Sequence, residues 1–131
     1  MKKKIVLIEG VYDTIDLFTR EIKKALEQMG CECLVLDAGH MEESLKEFAL
    51  FAMTPVFAAI TFNNLGYNLE LSEGKNIWEQ FEIPYVNILM DHPFHYTGPL
   101  AHMPKTAWVF CTDKNHVDFM HRFYPEIERV G

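Results

Sequence analysis

Three residues that can do chemistry, Asp91, His92 and His95, follow directly on a mainly apolar run at 86–90. A short run of this kind, with Pro84 just before it, predicts a buried strand. In an open α/β sheet, ligands bind in the crevice beyond the carboxyl ends of the strands. We therefore expect Asp91, His92 and His95 at the mouth of a binding site.

The Asp91 carboxylate has two interpretations. A carboxylate next to a buried strand is costly if it is unpaired, so Asp91 needs hydrogen-bond partners or a wet crevice. It either braces its own turn through backbone amides or orients His92 or a substrate hydroxyl, as a general base does. An imidazole can take or release a proton near neutral pH. Asp91 and His92 are thus the candidate catalytic residues, and His95 is a candidate substrate-binding residue.

The same turn also contains residue types that can ligate a metal ion. Asp91, His92, His95 and His102 offer oxygen and nitrogen ligands within twelve residues, and zinc or another divalent ion accepts such ligands. However, Pro93 bends the chain between them, and neither an H-E-x-x-H motif nor a closely spaced cysteine pair of the C-x-x-C type is present. We therefore predict no metal. The interpretation that competes with a metal site is a group of loop histidines, some of which hydrogen-bond to the backbone.

A second polar pair, Asp113 and Asn115, follows the predicted fifth strand. The pattern D-x-N before a helix is first of all an N-cap signal. Because the pair follows a strand, Asp113 and Asn115 are also candidate substrate-binding residues. His116 is expected on the surface of that helix. Trp108 is expected in the core.

The elements that position these residues alternate between strand and helix. Strands are predicted at 4–9, 31–37, 56–62, 86–90 and 106–112, with a short sixth at 127–130. Helices are predicted from an Asp13 cap to Gly30 and at 41–52, 75–81 and 115–124. Residues 65–74 are expected to form a polar loop and 94–105 an irregular segment.

This alternation predicts one α/β domain over residues 1–131, with a parallel sheet and helices on both faces. The polar Glu32 marks the second strand as an edge, which gives the Rossmann-like or flavodoxin-like order 2-1-3-4-5. The switch point then lies between strands one and three. Gly10 and Tyr12 are expected opposite Asn63 and Asn64, and these four residues are candidate substrate-binding residues.

Several ligands of this fold lack their sequence signals. The dinucleotide fingerprint G-x-G-x-x-G is absent, because the first turn reads E-G-V-Y-D. A flavin mononucleotide loop needs more hydroxyls than Thr14 supplies, and a phosphate-accepting receiver domain needs an aspartate where Asn63 stands. We therefore predict no bound cofactor.

Composition narrows the class of partner. Twelve basic and nineteen acidic residues give a net charge of −7, which argues against nucleic acid or an anionic membrane as a general partner. No stretch reaches the roughly 18 apolar residues of a transmembrane helix, and no signal peptide is apparent. The three cysteines form no C-x-x-C pair, which fits a reducing compartment and predicts the cytoplasm.

Two segments carry a resemblance to a known family. The sequence I-P-Y-V-N-I-L-M-D-H-P at 83–93, followed by F-C-T-D-K-N-H-V-D-F-M-H-R-F-Y-P at 110–125, resembles N-terminal domains of bacterial glycosyltransferases of the CgeB-like, spore-maturation type. Those enzymes have the GT-B fold, in which two Rossmann-like domains enclose a cleft. The resemblance is strongest over residues 83–125, and the order of strands and helices agrees with it.

The resemblance implies glycosyl transfer from a nucleotide sugar, with this domain facing the acceptor. The donor would be held by a C-terminal domain outside these residues, so the chain alone is expected to be inactive. By resemblance, Asp91 and His92 lie on the turn that faces the cleft. The alternative is a stand-alone flavodoxin-like module that binds a small molecule or has a regulatory role, without catalysis. The oligomeric state is not predicted.

Overall fold

The structure of the protein is a computed structural model, which describes residues 2–131. Its main sheet contains five parallel strands in the order β2-β1-β3-β6-β7 and is flanked by helices. The strands are β1 (Lys4–Glu9), β2 (Glu32–Asp37), β3 (Ala58–Phe62), β4 (Glu70–Ser72), β5 (Lys75–Asn76), β6 (Tyr85–Leu89) and β7 (Ala107–Cys111). The helices are α1 (Asp13–Gln28), α2 (Met41–Phe51), α3 (Ile77–Gln80), α4 (Thr97–Ala101) and α5 (Lys114–Phe123). The predicted fold class and strand order are confirmed, since β6 and β7 are the strands predicted as fourth and fifth.

The chain divides into two compact parts, Met1–Ile60 and Thr61–Gly131. In the first part, β1 pairs in parallel with β2 on one side and with β3 on the other, so that Leu7 lies opposite Val35 and Ile60. The apolar run of β1 is buried on both faces, as expected for a central parallel strand. Glu32 is exposed on the edge strand β2, as predicted.

Helix α1 begins differently from the prediction. Its N-cap residue is Tyr12, which makes no side-chain capping bond, and Asp13 is already the first helical residue. Asp16 instead accepts the backbone N–H of Gly10 at 2.9 Å, so a carboxylate in the first turn still holds the preceding turn. The helix ends as predicted, because Gly30 adopts a left-handed φ of +90° directly after the C-cap.

A lysine side chain closes helix α2. The Lys4 ammonium donates to the carbonyl oxygen of Phe51, the last residue of the helix, and to Thr54 Oγ1 at 2.6 Å. Cations are favourable at this end because the last carbonyls carry partial negative charge. Lys4, which the sequence groups with Lys2 and Lys3, therefore has a structural role.

The second part, Thr61–Gly131, is organised on β6 and β7, which pair in parallel from Tyr85 opposite Ala107 to Leu89 opposite Cys111. One face of this pair packs into a core with helices α4 and α5. The buried members of that core are Leu89, Leu100, Val109, Met120 and Ile127.

Two segments of this part are more regular than predicted. The polar loop at 65–74 contains β4, which pairs with β5 as an antiparallel ribbon, so the third helix is shorter than predicted. The segment at 94–105 begins with a 3₁₀ turn at Pro93–Tyr96 and continues as α4. Pro99 does not prevent α4, because it lies in the first turn, where the missing N–H would have no partner within the helix.

Two other predictions for this part need correction. The predicted sixth strand at 127–130 is reduced to one parallel bridge between Val109 and Val130, because Ile127 turns into the core and donates to the Tyr124 carbonyl. Trp108 is not in the core: its side chain is 41% exposed on the face of β7 opposite Val109.

The cysteines behave as small apolar residues. All three are unpaired and half-buried. Burial raises the pKa of the Cys33 and Cys111 thiols, so both stay protonated near neutral pH. Within residues 2–131, no helix is long and apolar enough to cross a membrane.

We expect Gly10→Ala to destabilise the protein by roughly 3 kcal/mol, from backbone strain and overpacking together. Gly10 has φ +104°, and a Cβ there would lie 2.4 Å from Asp37 Oδ1 and 2.9 Å from the Ala38 nitrogen. Gly30→Ala is the matched control, because φ is +90° with no atom within 4 Å of the added Cβ; its cost should be about 1 kcal/mol. Urea unfolding of both variants measures the difference, and equal losses would contradict the prediction.

Candidate functional site

Two of the predicted site residues, Asn63 and Asp91, meet at the carboxyl ends of β3 and β6. Asn63, directly after β3, accepts the backbone N–H of Met90 on its Oδ1 at 2.8 Å. Its Nδ2 donates to Asp91 Oδ2 at 3.4 Å. One amide side chain thus ties the turn after β3 to the turn after β6. Asn63 and Asp91, both candidate site residues, therefore lie side by side.

Asp91 is exposed and has a second side-chain partner. The Tyr96 hydroxyl donates to Asp91 Oδ2 at 2.8 Å, a bond that the 3₁₀ turn Pro93–Tyr96 makes feasible by folding the chain back. Both bonds end on Oδ2, and Oδ1 accepts none from residues 2–131. Tyr96 was missed by sequence reasoning, because it lies in the segment predicted as irregular.

Two buried asparagine side chains anchor the turn after β3 to the core. Asn64 donates its backbone N–H to Asn87 Oδ1 at 2.9 Å, and Asn87 Nδ2 donates to Asn64 Oδ1 at 2.6 Å. Asn87 is fully buried in the middle of β6, and Asn64 is 4% exposed. Asn64 is therefore part of the structural support of the site. Asn87 was also missed, although a polar residue inside an apolar run was the available signal.

The backbone of this turn is unusual. Asn63 and Asn64 adopt positive φ angles of +48° and +67° in succession. Asparagine tolerates the left-handed region better than most residues, yet such conformations persist only where the surroundings fix them. The hydrogen bonds from both side chains supply that fixation.

The next three carbonyls of the loop each receive a side-chain donor. Tyr85 Oη donates to the Leu65 carbonyl at 2.6 Å, Trp78 Nε1 to that of Gly66 at 2.7 Å, and Asn76 Nδ2 to that of Tyr67 at 2.6 Å. Burial raises the pKa of the Tyr85 hydroxyl well above its usual range, so the group remains a donor at any physiological pH. Three side-chain hydrogen bonds therefore anchor the loop that follows Asn63 and Asn64.

His92 is held separately from Asp91. Its Nδ1 accepts the backbone N–H of Phe94 at 3.0 Å, so in the neutral ring the proton is on Nε2. The ring lies edge-on to His116, with centroids 4.6 Å apart, and to Phe119 at 4.9 Å. His116 is thus half-buried against His92 and is not the surface residue predicted. No hydrogen bond joins Asp91 and His92 among the described side chains.

The remaining candidates of this part lie at the periphery. His95 is exposed, and its ring has edge-on contacts with Phe94 and Tyr96. Asp113 accepts the backbone N–H of Asn115 at 2.7 Å and is the N-cap of α5. The cap interpretation of the D-x-N pattern is therefore confirmed for Asp113, and Asn115 is an exposed residue of the first helical turn.

Two candidates belong to the first part of the chain. Gly10 forms the turn after β1, where its backbone packs against Asp37 and Ala38. Tyr12, the N-cap residue of α1, has a side chain that is 57% exposed.

The side chains near Asp91 do not form a metal site. Across residues 2–131, no three histidine, cysteine, aspartate or glutamate side chains lie close enough to share an ion. His102, which was weighed as a ligand, instead bonds through Nδ1 to the Gly98 carbonyl at 2.9 Å. What the site offers is a fixed, exposed carboxylate, suited to accept hydroxyl groups.

Comparison with known proteins adds no relative: no protein-family model, curated protein or solved structure matches the chain. A function for the chain therefore has to be argued from the site.

We expect Asn87→Leu to destabilise the protein by about 2–4 kcal/mol, because two buried polar groups of Asn64 lose their partners, while the number and branching of the side-chain heavy atoms are kept. Thermal and urea unfolding measure the loss. Asn68→Leu, an exposed position in the loop after Asn64, is the control and should change stability by no more than about 0.5 kcal/mol. A loss below about 1 kcal/mol for Asn87→Leu would show that the pair does not hold the turn.

Proposed function

We propose that the chain is the acceptor-side domain of a nucleotide-sugar-dependent glycosyltransferase, in which Asp91 binds a hydroxyl group of the acceptor. The observation that carries this proposal is the exposed Asp91 carboxylate, fixed through Oδ2 by Asn63 and Tyr96 at the carboxyl edge of the sheet. Oδ1 is then oriented and available. A sugar hydroxyl donates to such an oxygen, and a carboxylate in this position can also take its proton.

The other side chains have supporting roles. Asn63 and Tyr96 are positioning residues, because they act through Asp91. His92 presents an Nε2–H donor, since its Nδ1 is occupied by the backbone of Phe94, and this donor can contact a second oxygen of the ligand. The nucleotide sugar is assigned to a second α/β domain, as the resemblance at 83–125 implies. No residue of this chain is assigned to a cofactor.

A second candidate function uses the same edge for binding alone. Asp91 is exposed in this structure, whereas proton transfer by a carboxylate is most effective where water is excluded. A stand-alone module that binds a hydroxyl-rich small molecule needs no such closure. The two functions share the ligand chemistry at Asp91 and differ in turnover.

In the purified 131-residue chain, we expect monosaccharides at high concentration to shift the amide NMR signals of residues 63–65 and 90–92. No nucleotide sugar should be turned over above a protein-free blank, since the donor site lies elsewhere. Asp91→Asn should abolish the shifts, and Asp118→Asn, an exposed carboxylate on α5, should leave them unchanged. Two outcomes would remove Asp91 from the site. One is equal sugar-induced shifts in Asp91→Asn and Asp118→Asn; the other is no shift at residues 63–65 or 90–92 in the unmodified chain.

In a protein that also contains the donor-binding domain, we expect Asp91→Asn to lower kcat by roughly 10²-fold or more, the usual contribution of a positioned acid or base. Tyr96→Phe should act in the same direction but more weakly, because Asn63 still holds the carboxylate. Asp91→Asn should change the free energy of unfolding, measured by thermal melts, by about 1 kcal/mol at most. Full activity with a large loss of stability would show that Asp91 is only a structural brace. Sugar-induced shifts without turnover by any such protein would favour the binding module.

A further inference from the structure

In the first part, Met1–Ile60, the strands begin and the helices end at the same edge of the sheet, which we call the amino edge. The strands run parallel and each helix returns antiparallel to them, so α1 and α2 end where β1 and β3 begin. Backbone bonds fix this edge: Glu32 N donates to Lys3 O at 2.9 Å, and Phe57 N donates to Lys4 O at 2.8 Å.

Large apolar side chains are exposed at this edge. Met29 is 78% exposed, Leu50 73%, Met53 79% and Phe57 56%. Met29 ends α1, Leu50 and Met53 lie at the end of α2, and Phe57 precedes β3. Single exposed apolar residues are common, but several at one edge mark an interaction surface. We call these four residues, together with Lys2 and Lys3, the amino-edge patch.

The charge of the patch differs from that of the whole chain. Lys2 and Lys3 are exposed, and the Lys3 ammonium lies 4.6 Å from the centroid of the Phe57 ring. Acidic residues are also present at this edge. Glu32 is exposed, Glu27 lies 3.9 Å from the Lys23 ammonium, and Glu47 is exposed one turn before the end of α2. The edge is therefore of mixed charge and not predominantly acidic, although the chain carries a net charge of −7.

We propose that the amino-edge patch docks on the surface of an anionic lipid bilayer. Apolar side chains flanked by lysines match the interface, since the apolar groups enter the acyl boundary while the ammonium groups remain among the lipid phosphates. A negative surface attracts Lys2 and Lys3 and repels the acidic remainder of the chain, which selects this edge. A second copy fits less well, because a two-fold contact through the patch would bring the two pairs of lysines together.

The test is co-sedimentation of the 131-residue chain with vesicles of phosphatidylcholine alone or mixed with phosphatidylserine. Binding should require phosphatidylserine and should fall at least tenfold between about 0.1 M and about 1 M salt. Lys2→Gln with Lys3→Gln should weaken binding roughly twenty-fold, about fivefold per lysine. Leu50→Ser should weaken it roughly tenfold through lost apolar burial.

Matched controls come from the same part of the chain. Lys24→Gln with Lys46→Gln makes the same change in net charge at exposed helical positions, and Leu17→Ser removes another exposed leucine on α1. Both should retain binding. Light scattering of the free protein tests for a dimer. Absence of binding, equal binding to phosphatidylcholine, equal losses in the controls, or a dimer that Leu50→Ser dissolves would each overturn the proposal.

Discussion

The candidate site depends on one buried contact, the pair of hydrogen bonds between Asn64 and Asn87. A buried amide without partners costs about 1–3 kcal/mol per unsatisfied group, so Asn87 is tolerable in the middle of β6 only because Asn64 meets it. The same bonds hold Asn64, where the chain leaves β3 with a left-handed φ of +67°. That conformation directs the Asn63 side chain across to Met90 and Asp91. A contact in the core therefore determines how the exposed carboxylate is held.

Strain and hydrogen bonding are balanced in this turn. Two successive positive φ angles on non-glycine residues cost roughly 1–3 kcal/mol each. The side-chain donors of Tyr85, Trp78 and Asn76 to three consecutive carbonyls offset part of that cost, because they pair backbone acceptors of the loop. A loop of polar composition such as 65–74 can therefore still have one fixed conformation. Loops that carry binding residues need such support from a rigid scaffold.

The sheet was predictable from the sequence because each strand is a short apolar run followed by a helical pattern, and because Glu32 identified the edge. In that strand order the strands that end at Asn63 and Asp91 are neighbours, which is why these two side chains meet. Tyr96 and His116 were not predictable in the same way. Tyr96 reaches Asp91 because residues 93–101 fold into helical turns despite Gly98 and Pro99. The presence of a proline alone does not indicate whether it lies in the first turn of a helix, where it is tolerated. His116 reaches His92 through packing of α5, which no local pattern encodes.

The separation of Asp91 from His92 sets how the two can work together. Phe94 occupies His92 Nδ1 and therefore fixes which ring nitrogen carries the proton, a role that a carboxylate has in a catalytic triad. Asp91 is left to act on a ligand directly, with Tyr96 and Asn63 limiting its rotation. The turn thus offers a carboxylate oxygen of Asp91 as an acceptor and, at the next residue, the imidazole N–H of His92 as a donor. Because both groups are oriented before any ligand arrives, little ordering is required on binding, which favours recognition of small polar molecules.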